Sequence, residues 1–248
     1  MNGLAIIQAR MGSKRLKGKS LLSLGDETII YSCFNAVYSS NCFSKIIVAT
    51  TSNEEDDVLV EYLERQKIDY FRGSEKNVFS RFFEISKMSN SKFVARFTGD
   101  NPLIDPDVIK VVVNAHLDSG ADYTTNVIER TWPRGNDIEC LNTDILLDLN
   151  NKNLNKDELE HVTLFIRNNL NNYKICSVLN DKKLKLPNLR ITLDFKEDYI
   201  LIKKIFEELN EQNLKITANN IDKIVHKNPG YFKINNNLDQ NTINGIEY

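Results

Sequence analysis

Short apolar runs alternate with amphipathic stretches of helical length through the first half of the chain, and this alternation does most to limit its fold. Strand candidates lie at residues 4–9, 45–49, 69–71, 93–97 and 122–124. Helix candidates lie between them at 28–40, 54–66, 78–87 and 107–117. In the first of these, Ile29, Ile30, Cys33, Phe34 and Val37 recur at helical spacing. The second opens after Ser52-Asn53, a favourable N-cap with acids in the first turn. The third follows Asn77, and the fourth follows Asp105 with Pro106 at its first position. Such a β-α-β-α order predicts an α/β fold with a mostly parallel central sheet and helices on both faces.

Residues from about 126 to 180 break the rhythm. A turn at 133–137 is followed by helix candidates at 144–149 and 157–169. The alternation resumes with a strand at 189–193 and helices at 199–209 and 218–226. The expected organisation is one domain over 1–235. It carries an inserted segment at about 126–180, serving as a lid or partner surface, and ends in a polar, weakly ordered tail at 236–248.

Composition removes several classes of function. With 32 Lys+Arg against 34 Asp+Glu the net charge is -2, so nothing draws the whole chain to nucleic acid or an anionic membrane. No apolar run approaches the roughly 20 residues of a membrane helix. The first residues run straight into a strand without the regions of a signal peptide, which predicts a cytoplasmic location. Four cysteines without C-x-x-C spacing and three scattered histidines argue against a zinc or iron–sulfur site.

Positive charge is instead concentrated after the first strand. There, Ile6-Ile7-Gln8-Ala9 runs into a loop carrying Arg10, Lys14, Arg15, Lys17 and Lys19 with Gly12 and Gly18. Open α/β sheets bind ligands at the carboxyl ends of their strands. Glycines let backbone N–H groups turn toward an anion, and cations supply countercharge. The spacing is neither that of a Walker A loop nor that of a dinucleotide loop. This many cations in ten residues points to a polyphosphate. A solvated basic turn is the plainer alternative.

A polyphosphate arrives with Mg²⁺, which takes hard oxygen ligands and keeps several waters. Asp100 closes the run Phe93–Gly99 and Asp194 closes the run Leu189–Leu193, so both carboxylates fall just past strand candidates. Asp137, in the 133–137 turn, is a third candidate. Each alone also reads as a cap or turn residue. Together, opposite a basic loop, Asp100 and Asp194 read as metal ligands.

These residues carry a resemblance. Gln8-Ala9-Arg10-Met11-Gly12-Ser13-Lys14-Arg15-Leu16-Lys17-Gly18-Lys19 resembles the signature loop of the CMP-sugar-acid cytidylyltransferases. That family includes the CMP-Kdo and acylneuraminate synthetases, and the match is to its compact, spore-coat polysaccharide branch. Val48-Ala49-Thr50-Thr51 with Asp56-Asp57 is similar to its second-strand motif. Phe71-Arg72-Gly73-Ser74 with Val78-Phe79-Ser80-Arg81-Phe82 is similar to R-G-S…V-L-x-R-Y. Arg96-Phe97-Thr98-Gly99-Asp100 with Pro102-Leu103-Ile104-Asp105-Pro106 resembles R-x-T-G-D-x-P-L-I-D-P. Asn126, Arg130-Thr131, Pro133, Gly135, Asp137 and Glu139 fit N-x-x-x-R-T-x-P-x-G-x-D-x-E. Glu160-His161-Val162-Thr163 matches E-H-V-T, and Leu189-Arg190-Ile191-Thr192-Leu193-Asp194 with Glu197-Asp198 resembles the closing motif. Lys17 replaces a usual Pro, and Phe195-Lys196 a usual Thr-Pro. Thr98 stands where Kdo enzymes carry Gln, which leaves the acceptor open.

The resemblance implies a Rossmann-like nucleotidyltransferase that transfers CMP from CTP to a sugar acid, releasing pyrophosphate, for surface polysaccharide synthesis. It implies that Arg10, Arg15 and Lys19 grip the triphosphate while Asp100 and Asp194 hold Mg²⁺. Ala9, Gly12, Ser13, Arg72, Arg81 and Thr98 would complete the nucleotide site. Arg130, Asp137, Glu160 and His161 would face a small acidic acceptor, and the 126–180 segment would build a homodimer. His161 also reads as a dimer contact or a satisfied helix residue. A phosphate or phosphonate acceptor, or a nucleotide-binding homologue without turnover, are the competing functions. On this reading Asp194→Asn loses turnover while still folding, and Lys19→Ala weakens nucleotide use at unchanged thermal stability.

Overall fold

A computed structural model of the chain describes residues 2–180, 184 and 188–238, with the backbone of 242–243 and 246–247. Strand β1 (Gly3–Gln8) places Leu4 and Ile6 against one face of the sheet and Ala5 and Ile7 against the other. All four are fully buried, the two-sided burial of a central parallel strand. A small hairpin of β2 (Ser23–Leu24) and β3 (Glu27–Thr28) ends the loop that follows. Then come α1 (Ile29–Ser39), β4 (Lys45–Thr51), α2 (Asp57–Arg65), β5 (Tyr70–Gly73), α3 (Val78–Lys87), β6 (Phe93–Thr98) and α4 (Pro106–Ser119). The second half holds β7 (Tyr123–Thr125), β8 (Glu139–Asn142), α5 (Thr143–Leu149), α6 (Lys156–Glu160), α7 (Leu164–Asn168) and β9 (Ile175–Ser177). Helices α8 (Lys196–Glu211), α9 (Ala218–Lys227) and α10 (Pro229–Phe232) follow.

The sheet order is β5-β4-β1-β6-β8-β7-β9. From β1 the chain winds outward through β4 to β5, then returns to the other side of β1 as β6, all in parallel. The direction of winding therefore reverses between β1 and β6, and a crevice opens at their carboxyl ends. Helices α1, α2 and α4 cover one face, packing on Ala5, Ile7, Val48, Ala95 and Phe97. Helices α3, α5 and α7 cover the other, packing on Leu4, Ile6, Val94 and Leu141. A third core joins α8 and α9 to Leu24, Ile29, Leu103, Leu189, Ile191 and Leu193.

Several expectations change. The 126–180 segment is not separate from the sheet: β8 lies antiparallel between β6 and β7, and β9 forms the end beside β7. Residues 189–193 alternate apolar and polar as a strand would, yet among the described residues they make one isolated bridge, Arg134 to Arg190. Their backbone partners are the 134 turn and the Asp100 turn, and among the described residues no strand ladder runs beside them. Gly135 allows this approach, because its φ is +110° and a Cβ there would lie 2.9 Å from the Ile191 backbone. The single helix expected at 157–169 is two, α6 and α7. Between them, Val162 turns into the second core and the Thr163 hydroxyl donates to Glu139 Oε1 at 2.6 Å. Most of the tail expected at 236–248 lies outside the described residues. Asn235, where the expected domain ends, is 3% exposed and bonds to Asp198 and the Arg190 carbonyl.

Candidate active site

The basic loop is folded by its own backbone. Ser13 and Gly18 N–H groups both donate to the Met11 carbonyl, at 2.9 and 3.0 Å, and Gly18 takes the left-handed conformation at φ +72°. Met11 N–H donates to Asp56 Oδ1 at 2.6 Å. The same buried carboxylate accepts from the Thr50 hydroxyl and the Thr51 N–H, so Asp56 ties the loop after β1 to the end of β4. The loop cations are thus held over the carboxyl ends of β1 and β6.

They border a cleft of about 430 Å³, of ordinary size for a small-molecule site. Lys19 Nζ lies 2.7 Å from Asp100 Oδ2, 3.0 Å from Asp194 Oδ1 and 2.7 Å from the Leu193 carbonyl. Leu193 N–H donates to the Asp100 carbonyl at 2.9 Å, which holds the two aspartates side by side. Arg15 adds a contact to Asp194 Oδ1 at 2.8 Å while its guanidinium lies 4.9 Å over the Phe195 ring. Arg10 pairs with Glu75 at 2.9 Å. Burial opposes ionisation of both Lys19 and Asp194. Even so, the aspartates raise the lysine above its usual value, while Lys19, Arg15 and Arg190 hold Asp194 well below the carboxylate range. Each loop cation that would meet phosphate rests here on a carboxylate.

Arg96, Arg130, Arg134, Arg167, Glu160 and His161 also line the cleft. Arg130 grips Asp137 with two guanidinium nitrogens, at 2.6 and 3.3 Å. Arg96 pairs with buried Glu139, which also accepts from the Tyr123 and Thr163 hydroxyls. Burial alone would raise Glu139; Arg96, Arg167 and those hydroxyls outweigh it and hold the carboxyl down to about 2. Burial, reinforced by Arg96, lowers His161 to about 4, so its imidazole is neutral at physiological pH. Arg81, 2% exposed, donates to the Ala49 carbonyl at 3.0 Å, and its Nε finds no partner among the described residues. Such an orphaned buried donor at a cleft wall is a place for a ligand acceptor.

The cleft gathers Ala9, Arg10, Ser13, Arg15, Lys19, Arg81, Thr98, Asp100, Arg130, Asp137, Glu160, His161 and Asp194. It leaves out two sequence candidates. Gly12 packs against Glu55, where a Cβ would come within 2.2 Å of Oε1. Arg72 turns away to staple the loop after β4, donating to the Thr51 and Asn53 carbonyls at 2.9 Å and pairing with Asp57. Sequence reasoning did not single out Arg96, Glu139, Arg134 or Arg167. The first two lay inside quoted motifs, where their charge at positions of strand β6 and β8 could have flagged them. Among the described residues no group of three or more His, Cys, Asp or Glu is arranged to hold a metal. Two carboxylates converging on one ammonium do suit a hard cation that keeps waters and takes its other ligands from phosphate.

A sheet crevice with a cation loop and an acid pair beside it is suited to a metal-bound polyphosphate. A family profile described as cytidylyltransferase matches residues 4–229. The chain is 35% identical over 231 residues to the spore coat polysaccharide biosynthesis protein SpsF of Bacillus subtilis, covering 91% of this chain and 95% of that one. A 3-deoxy-manno-octulosonate cytidylyltransferase of Lawsonia intracellularis is 29% identical over 48% of each chain. The structure of a cytidylyltransferase from Leptospira borgpetersenii superposes with a TM-score of 0.86 at 28% identity, covering 98% of this chain and all of that one. The chain belongs to the cytidylyltransferase family and is a CTP-dependent nucleotidyltransferase. No helix among the described residues is long and apolar enough to cross a membrane.

Proposed function

We propose that this protein is a Mg²⁺-dependent, cytoplasmic, homodimeric cytidylyltransferase that moves CMP from CTP onto a sugar acid for surface polysaccharide synthesis. The observation that carries the reading is the meeting of Lys19, Asp100 and Asp194 at the cation loop. Arg10, Arg15 and Lys19 exchange their carboxylate partners for the β- and γ-phosphates and meet the charge that develops on departing pyrophosphate. Asp100 and Asp194, released from Lys19, would hold the metal. Bound there, Mg²⁺ supplies countercharge at the α-phosphate and acidifies an attacking hydroxyl. The backbone near Ala9 and the free Nε edge of Arg81 read the base. The arginines lining the cleft, with Glu160 and neutral His161, orient an anionic acceptor so that its oxygen faces the α-phosphorus. Names borne by the relatives, spore coat polysaccharide biosynthesis protein and 3-deoxy-manno-octulosonate cytidylyltransferase, support the sugar-acid class.

The test is pyrophosphate release from CTP and Mg²⁺ with a panel of nonulosonic and ulosonic acids beside sugar phosphates and phosphonates. Release with a sugar acid supports the reading. Release with a phosphate or phosphonate alone replaces it by that acceptor class. Binding of CTP without release for any acceptor leaves a nucleotide-binding protein in its place.

A further inference from the structure

Asp194 is not free to present both carboxylate oxygens to the cleft. Its Oδ1 faces Lys19 and Arg15, at 3.0 and 2.8 Å. Its Oδ2 accepts from Arg190 Nη2 at 2.7 Å. Arg190 is itself immobilised, with its side chain 7% exposed. Its Nε reaches Asp198 Oδ1 at 2.8 Å, and the same Nη2 reaches Asp198 Oδ2 at 3.1 Å.

Asp198 is fully buried and accepts hydrogen bonds on both oxygens. The Asp194 and Phe195 N–H groups both donate to its Oδ2 at 2.9 Å. A cap of α8 would need only those two backbone contacts. The Arg190 fork and Asn235 Nδ2, 2.8 Å from Asp198 Oδ1, exceed that need. Asn235 also donates to the Arg190 carbonyl at 3.0 Å. Backbone and side chain of Asp194 are therefore fixed by one buried acid, one buried arginine and an amide from the C-terminal region.

We infer that Arg190, braced by Asp198 and Asn235, is a positioning residue that makes Asp194 a one-oxygen ligand, with Oδ2 committed to the protein and Oδ1 turned to the metal and nucleotide. The inference rests on the proposed metal role of Asp194. An arginine suits the task because its planar fork bridges two carboxylates at once, which an ammonium does not do in the same geometry. Partners of a metal ligand typically set metal affinity and activity over ten- to a hundredfold.

The experiment compares wild type with Arg190→Met, Arg190→Lys and Asn235→Ala. Mn²⁺ affinity in the presence of CTP is read by electron paramagnetic resonance, beside kcat, KM for CTP and thermal stability of the free protein. Arg190→Met is expected to weaken Mn²⁺ at least about tenfold and to lower kcat by a similar factor, with KM for CTP within about threefold. Arg190→Lys recovers part of that loss. Asn235→Ala keeps every charge, folds even where Arg190→Met does not, and weakens Mn²⁺ by about threefold or more. Variants that melt earlier yet keep wild-type Mn²⁺ affinity and kcat overturn the inference and leave Arg190 a stabilising residue only. A wild-type protein that binds no Mn²⁺ with CTP rejects the metal reading itself, and this inference with it.

Discussion

Lys19 and Asp100 are joined at 2.7 Å between Nζ and Oδ2, although 81 residues separate them in the chain. The first lies in the loop after β1 and the second just past β6, the two strands between which the winding of the sheet reverses. Topology sets the two strand ends side by side, and the fold of the loop after β1 brings Lys19 back over them. Asp194 joins them from a segment outside the sheet, through the Leu193–Asp100 backbone bond.

These contacts revise what a loop lysine alone would predict. Lys19 is 13% exposed and compensates two carboxylates, so Lys19→Met leaves those acids facing each other. Free protein should lose about 1–3 kcal/mol, the cost of orphaning partly buried charges, or several degrees of melting temperature. Turnover should fall at least about a hundredfold. Calorimetry of the variant checks the first; unchanged melting would mean that Lys19 does not hold the aspartates together.

Asp194→Asn should cut turnover at least about a hundredfold, the scale of one preorganised electrostatic group. Oδ1 accepts from Lys19 and Arg15 and Oδ2 from Arg190, so an amide nitrogen meets a donor whichever way it faces. Steady-state assays with CTP and the productive acceptor read this directly. Turnover within about fivefold of wild type would remove Asp194 from the chemistry.

Arg72 matches a family motif in sequence, yet its donors are used by the Thr51 and Asn53 carbonyls. Arg72→Ala should lower stability by about 1–2 kcal/mol while KM for CTP stays within about threefold. A tenfold rise in KM at unchanged melting temperature would return Arg72 to the nucleotide site.

Glu139 gives the acid limb of stability. Its folded value, about 2, lies below the ordinary 4.5, so the unfolded chain binds the extra proton. The contribution is complete above the unfolded value and is lost as pH falls through the window from about 5 to 2. The stability gap between wild type and Glu139→Gln, measured by urea unfolding, should therefore shrink across that window. A gap constant with pH would mean that Glu139 is not held ionised by Arg96 and Arg167.

His161, lowered to about 4, should show no titration between pH 5 and 8 in its imidazole NMR signals. A midpoint near 6.5 would show that the ring is solvated, and its place in the cleft wall would be wrong.

Much of this was legible because the signals were local. The strand 4–9 and its basic loop, the caps at Asn77 and Asp105, and the residue pairs at strand ends depend on neighbours in sequence. Strand β8 was not legible: it is four residues long, begins with an acid, and its burial of Glu139 depends on Arg96 from β6. Residues 189–193 carry the apolar alternation that reads as a strand, but pairing partners are a tertiary property that periodicity does not carry. The break at His161 likewise follows from where Val162 and Thr163 dock, not from any helix-breaking residue. The position of Arg72 shows the limit of motif reasoning, since a motif gives the residue but not the direction of its side chain.

The central claim is tested most directly by thermal shift with CTP, UTP, ATP and GTP, each with and without Mg²⁺, for wild type and Asp194→Asn. A ligand at a hundred times its dissociation constant adds about 2.7 kcal/mol, a rise of several degrees for a chain of this size. The account predicts a Mg²⁺-dependent rise with CTP alone, lost in Asp194→Asn. A rise with every nucleotide, or one with CTP that ignores both Mg²⁺ and the substitution, would contradict it.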